Sequence, residues 1–244
     1  MTKFVSASVM MGAVSETESL RQTVYGIAAA VEKKSDIAEL LIAYPADRVT
    51  PECKAVLESL ASEDVGVRLD IFPQVTPGIG FYSDALDRAT GSHCIPFQTD
   101  LGMNVEIIAR LIGEAKKDDT TICTTSRWLP ESQWTGYGTV KKQINKLAQI
   151  FLRMLFGGGL TDYTNPVQII PTAIMRSIKW EHNDFSRFME MQLKPIKLGY
   201  KFREIPTDCF ERTDGSSANS FGELFHYLFT ALRIRFMKKK DILK

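Results

Sequence analysis

Four short segments place chemically useful residues where strands are expected to end: Gly12–Glu16, Tyr44–Asp47, Gln98–Asp100 and Ser126–Arg127. Asp100 offers a carboxylate, and Gln98, two residues earlier, an amide carbonyl. Such an all-oxygen pair suits a hard divalent cation, Mg2+ or Mn2+, with one negative charge fewer than two aspartates would bring. Asp100 also suits, as the lesser alternative, the start of the helix that follows it, and Glu16 equally suits a helix N-terminus. Arg127 supplies a cation that can pair with phosphate or carboxylate. By contrast, Cys53, Cys94, Cys123 and Cys209 are widely spaced and form no Cys-x-x-Cys pair, and His93, His182 and His226 are scattered. That spacing speaks for reduced, structural thiols and against a zinc site or a catalytic triad.

Strand ends converge only if the elements are ordered to bring them together. Lys3 to Met11 reads as a strand, followed by a turn and a helix through Leu20, Val24 and Ile27, with Ser15 and Glu18 at capping-box spacing. Ala38 to Ala43 is a short apolar run expected as a buried parallel strand. Thr50-Pro51 opens a second helix, Val65 to Phe72 is a third strand, and Phe81 to Ala89 is a helix entered through Pro77-Gly78-Ile79-Gly80. Cys94 to Phe97, Val105 to Ala115 and Thr120 to Thr125 continue the strand–helix alternation. Repeated βα units predict a mostly parallel α/β sheet with helices on both faces, which binds ligands beyond the carboxyl ends of its strands. Val140 to Phe156 then reads as a long amphipathic helix carrying Ile144, Leu147, Ile150, Phe151 and Leu155, closed by Gly157. Val167 to Ile170, Ala173 to Ile178, Arg187 to Leu198 and Tyr200 to Ile205 are expected as strand, helix, helix and strand, and Arg212 to Asn219 as a polar loop.

The chain has 244 residues, a net charge of +1, and 44% hydrophobic and 24% charged content, an ordinary globular composition with no global basis for nucleic-acid binding. Neither a signal peptide nor an 18-residue apolar span is read, so the chain is expected to be soluble or to lie on a surface.

Taken in order, several segments form one series. They are Gly12-Ala13-Val14-Ser15-Glu16, Gly78-x-Gly80 with Ala89-Thr90-Gly91, Phe97-Gln98-Thr99-Asp100-Leu101, and Ser126-Arg127-Trp128. The series continues through Lys141-Lys142 with Asn145, Gln149 and Arg153, then Thr161-Asp162-Tyr163-Thr164-Asn165, Glu204-Ile205-Pro206, and Arg212-x-x-Gly215-x-Ser217. It resembles family 2 glycosyltransferases of the GT-A fold, and among them the dolichyl- or polyprenyl-phosphate sugar synthases. The resemblance implies a GT-A domain over 1–218 and an inverting, metal-assisted transfer from a nucleotide-sugar donor to a lipid-phosphate or other cell-envelope glycan acceptor. It implies donor contacts at Gly12, Ala13, Val14, Glu16, Tyr44, Asp47, Gly78, Gln98 and Thr99, with metal at Asp100 and Gln98. Acceptor-phosphate contacts are implied at Arg127, Lys142, Asn145, Arg212 and Ser217, and catalytic roles at Asp100, Arg127, Asp162 and Arg212. Read by residue type alone, Lys142 also fits a solvated helix face and Asp162 a structural turn. The sequence departs from the family at Tyr44-Pro45-Ala46-Asp47, where an Asp-Asp-Gly-Ser normally holds the base, and at Gln98, Gly102, Gln168 and Ala218. These departures support a competing expectation, a catalytically degenerate GT-A domain that binds a partner or membrane.

Residues 219–244 are expected as an amphipathic helix and basic tail. Phe221 to Phe236 is rich in aromatic and aliphatic residues, and from residue 231 onward six Lys/Arg face one acidic residue. This composition suits an anionic membrane surface, here the inner face of the cytoplasmic membrane. A helix packed on the domain, or a homodimer contact, accounts for the same pattern.

Overall fold

The computed structural model describes residues 2–136, 138–157, 159–210 and 221–244, with backbone only at Lys141 and 221–225. Strands β1 (Ala7–Gly12), β2 (Ile37–Tyr44) and β4 (His93–Pro96) are almost wholly buried, as expected of apolar runs covered on both sheet faces. With β3 (Leu69–Pro73), β5 (Thr121–Ser126), β6 (Gln168–Pro171) and β7 (Lys201–Pro206) they form a seven-stranded sheet of order β3-β2-β1-β4-β6-β5-β7. β6 runs antiparallel to β4 and β5, and the remaining pairings are parallel. The predicted mostly parallel α/β sheet is therefore the observed one.

Alternation along the strands sets the two layers. Val9, Met11, Leu40 and Ile42 pack on helices α1 (Glu18–Ala30), α2 (Pro51–Ser62) and α4 (Ile107–Lys117). Met10, Leu41 and Ala43 point the other way, onto α3 (Phe81–Arg88) and α6 (Thr172–Ser177). Pro51 and a Thr50 side chain that accepts the Cys53 N–H begin α2 as predicted. The capping box at Ser15 and Glu18 does not form: Thr17 precedes α1 without a side-chain cap. Instead the Glu16 carboxylate folds back to accept the N–H groups of Val14 (2.7 Å) and Ser15 (3.0 Å). Strands β1 and β3 also start later than the sequence predicts, at Ala7 and Leu69.

After the sheet, α5 (Thr139–Phe156), α7 (Ser186–Leu198) and α8 (Phe221–Phe236) gather around a third apolar cluster that includes Leu152, Leu160, Tyr163, Leu193, Ala231 and Ile234. Ile242 of α9 (Lys239–Ile242) is buried with the sheet-side cluster, so the C-terminal segment shares its cores with the rest of the chain. Among the described residues no helix is long and apolar enough to cross a membrane.

His93 opens β4 and is 3% exposed. Burial drives its imidazole down to about 4, against a smaller upward pull from Asp119. With the folded value below the unfolded one, the neutral ring's full contribution is present above about pH 6.5 and is lost as acid protonates the unfolded chain first. Stability should therefore fall between about pH 6.5 and 4, with His93 accounting for on the order of 3 kcal/mol at most. Urea denaturation across that window should give a shallower acid slope for His93→Gln.

Candidate functional site

The strand ends form two linked clusters. In the first, the turn after β4 is locked to the turn after β1: the Thr99 hydroxyl donates to the Gly12 carbonyl (2.8 Å), and Phe97 N–H to that of Met10 (2.9 Å). Ala13 N–H reaches the Ala43 carbonyl at the end of β2 (2.9 Å). The Phe81 ring lies over Gly12 so closely that a Cβ there would stand 2.6 Å from it. Gly78 has φ +61°, and a Cβ would meet the Asn183 carbonyl at 2.3 Å, so only glycine fits.

Asp100 is buried, and its Oδ1 accepts the Gly102 N–H at 3.0 Å. Between them Leu101 has φ 55°, a left-handed conformation that costs a non-glycine residue on the order of 1 kcal/mol. This tight turn brings two oxygens together. A Cβ on Gly102 would stand 3.0 Å from Asp100 Oδ1 and 3.5 Å from Gln98 Oε1. A carboxylate and an amide oxygen thus converge on space that a glycine leaves open, a donor set that fits Mg2+ or Mn2+. Asp47, by contrast, is exposed beside Arg48, and Tyr44 is partly buried, with its carbonyl accepting Gln74 N–H.

The second cluster is built on a buried ion pair. Arg127 donates from Nε to Asp162 Oδ2 (2.7 Å) and from Nη2 to Asp162 Oδ1 (2.9 Å), a bidentate fork onto a fully buried carboxylate. Arg127 Nη2 also reaches Thr164 Oγ1 (2.8 Å), and its guanidinium lies 4.9 Å from the Trp134 ring centre. Burial pushes the Asp162 carboxyl up, but Arg127's charge and hydrogen bonds leave it below the ordinary carboxylate range. Glu204 on β7 accepts the N–H groups of Thr161 and Asp162 at 2.8–2.9 Å and so fixes the turn that presents Asp162. Burial raises the Glu204 carboxyl despite those bonds.

Helix α5 closes this cluster with polar side chains. Gln149 Nε2 donates to Asp162 Oδ1 (3.3 Å), Thr164 Oγ1 (2.9 Å) and Asn145 Oδ1 (3.0 Å), and Trp128 Nε1 donates to Asn145 Oδ1 (3.0 Å). The Lys142 ammonium donates to the Trp134 carbonyl. A strap joins the two clusters: Phe210 N–H donates to the Gly102 carbonyl (3.0 Å), and Cys209 bridges to the Trp134 segment.

The structure therefore gathers Gly12, Ala13, Gln98, Thr99 and Asp100 in one cluster, and Arg127, Lys142, Asn145 and Asp162 in the other. Arg212 and Ser217 lie outside the described residues. Sequence reasoning gave no role to Gly102, Leu101, Trp134 or Thr164; a positive φ and a cation–π contact leave no spacing signal to find. It also treated His182 and His226 as scattered, whereas they meet around Asp184 (His226 Nε2 to Asp184 Oδ2, 3.5 Å), against the Asn183 carbonyl that holds Ile79 N–H.

Comparison with known proteins places this geometry in a known fold. No family model matches the chain. It is 24% identical over 218 residues, 86% of its length, to the glycosyltransferase AglD of Haloferax volcanii, of which it spans about a third (34%). Among solved structures it is similar to glucosyl-3-phosphoglycerate synthase from Mycobacterium tuberculosis in complex with phosphoglyceric acid, with a TM-score of 0.70 at 13% identity over 96% of this chain and 81% of that one. The same synthase in complex with Mn2+, uridine diphosphate and phosphoglyceric acid matches with a TM-score of 0.67 at 12% identity, over 96% and 80%. The fold is the GT-A fold of glycosyltransferases.

Breaking the buried pair from one side should leave a charge without its partner. Arg127→Ala is expected to cost about 3 kcal/mol or more in urea unfolding. Arg127→Gln combined with Asp162→Asn should cost less than the two single changes together, by about 0.5–3 kcal/mol. Strict additivity would remove the pair from its structural role.

Proposed function

We propose that the protein is an inverting glycosyltransferase that moves a sugar from a nucleotide-sugar donor to a lipid-phosphate acceptor at the cytoplasmic face of a membrane. The observation that carries this reading is the convergence of Asp100 Oδ1 and Gln98 Oε1 beside Gly102, at the carboxyl edge of the sheet in a GT-A fold. The sequence similarity to a glycosyltransferase supports it. Asp100 and Gln98 would hold Mg2+ or Mn2+, which when bound supplies positive charge against the donor's diphosphate oxygens.

The chain's own residues account for the remaining needs. The Gly12–Val14 turn and the Gly78 segment would line the donor, and each is packed from behind, Gly12 by the Phe81 ring and Gly78 by the Asn183 carbonyl. An ionised acceptor phosphate needs no general base. Its oxygen attacks the anomeric carbon as the bond to the diphosphate oxygen breaks. Arg127, in the second cluster at the same carboxyl edge of the sheet, supplies positive potential, moderated by Asp162 and directed by the fork that fixes its plane. Lys142 and Asn145 stand beside it, and the basic C-terminal segment supplies attraction to an anionic membrane.

A second reading, a GT-A domain without transferase activity that binds a partner or membrane, draws support from Asp47. It is the remaining carboxylate of the base-binding segment, and it points to solvent beside Arg48.

Purified protein with Mn2+ and a nucleotide-sugar panel, uridine diphosphate sugars first, should release nucleoside diphosphate. Asp100→Ala should abolish that release while the protein still melts in a single cooperative transition, at a somewhat lower temperature for loss of the bond to the Gly102 N–H. Gly102→Ala, which crowds both oxygens, should raise the Mn2+ needed for half-maximal release about tenfold. Release that Asp100→Ala leaves unchanged would sink the transferase reading. If no nucleotide shifts the melting temperature with or without Mn2+, the second reading stands.

A further inference from the structure

The geometry points to helix α5 as the surface that docks the protein on an anionic lipid membrane. This inference rests on the membrane-resident acceptor proposed above and adds the element that reaches the membrane.

An amphipathic helix in a globular protein normally turns its apolar stripe inward. In α5 only part of the apolar surface does so: Leu152 is buried, Leu155 and Phe156 pack against the same cluster, and a second apolar stripe faces outward. Asn145 and Gln149 point into the protein, bonded to Trp128, Asp162 and Thr164, while Val140 (67% exposed), Leu147 (66%), Ile150 (49%), Phe151 (36%) and Met154 (81%) face outward. At about 100° per residue, positions 140, 147, 151 and 154 lie along one narrow stripe with 150 at its margin, on the side opposite 145 and 149. A contiguous apolar patch of this kind marks a binding surface.

Charge selects the occupant. Helix α5 has no acidic residue, and exposed Lys146 and Arg153 flank the stripe. Two copies meeting through this face would oppose cation to cation, whereas anionic headgroups would pair with both. The surface also continues past the helix: Arg235 Nε donates to the Leu155 carbonyl (2.8 Å), which sets the 79% exposed Phe236 beside the C-terminal end of α5, followed by Lys238, Lys239 and Lys240. A helix is about 10 Å across, so a membrane against the outer stripe lies within roughly that distance of the Arg127–Asp162 cluster on the inner one.

Sedimentation of the full chain with vesicles tests the surface. Wild-type protein should bind vesicles of equal parts phosphatidylglycerol and phosphatidylcholine, more weakly as salt rises and more weakly still with phosphatidylcholine alone. Leu147→Glu with Met154→Glu should lower that binding about tenfold or more. Its melting temperature should stay unchanged, since both side chains point outward. Equal binding by this variant and the wild type overturns the inference, as does binding lost only in Phe229→Glu with Phe236→Glu, which would move the contact to α8. A concentration-dependent dimer, seen by light scattering and dissolved by the α5 variant, without vesicle binding, overturns it in favour of a second copy. Vesicle binding that depends on α5 in a protein that releases no nucleoside diphosphate supports this surface while overturning the catalytic reading.

Discussion

The fork between Arg127 and Asp162 constrains everything around it. A fully buried carboxylate is tolerated only when it is paired and its remaining lone pairs are occupied. Four elements converge to meet that requirement. Arg127 comes from the end of β5, the Asp162 turn is pinned by Glu204 of β7, and α5 contributes Gln149. Trp134 covers the guanidinium from the loop between β5 and α5. The pair makes a rigid wall at one edge of the site, and its orientation is fixed from every side.

The Asp100 cluster is built by different means. Around Asp100 the order comes from backbone: a left-handed Leu101, a glycine that leaves space, and hydroxyl and amide bonds between neighbouring strand ends. Strain in such a turn persists only where the surroundings hold it, and here the β1 turn and the Phe210 strap do so. A carboxylate held by a turn can adjust to a ligand by small backbone shifts, whereas the Arg127 fork cannot move without exposing a buried charge.

The mostly parallel α/β sheet was legible, though its strand order was not, because buried strands and capped helices carry their own signals: Leu40 to Ala43 reads as a strand covered on both faces, and Thr50-Pro51 as the start of a helix. The Ser15 cap was misread because Glu16 offers its carboxylate to the same turn, and sequence spacing does not rank the two acceptors. The site was legible as a set of strand ends, with Asp100 and Arg127 among them, but its pairing was not. Nothing in the spacing of Arg127 and Asp162, 35 residues apart, says that each neutralises the other. The same limit hid the cluster of His182, Asp184 and His226, which depends on where α8 lies.

Helix α5 shows how one buried pair reaches the molecular surface. Its sequence carries an apolar stripe and a polar one, and periodicity alone assigns the apolar stripe to the core. Gln149 is held on the inner face by Asp162, Thr164 and the Tyr163 N–H, and shares that face with Leu152 of the third apolar cluster. The polar stripe is thus held inward by electrostatics, and the helical period turns Leu147 and Met154 outward as a consequence. Under the proposed lipid-phosphate acceptor, a charged phosphate and an apolar tail make two opposite demands, and the inner polar and outer apolar faces of α5 would meet one each.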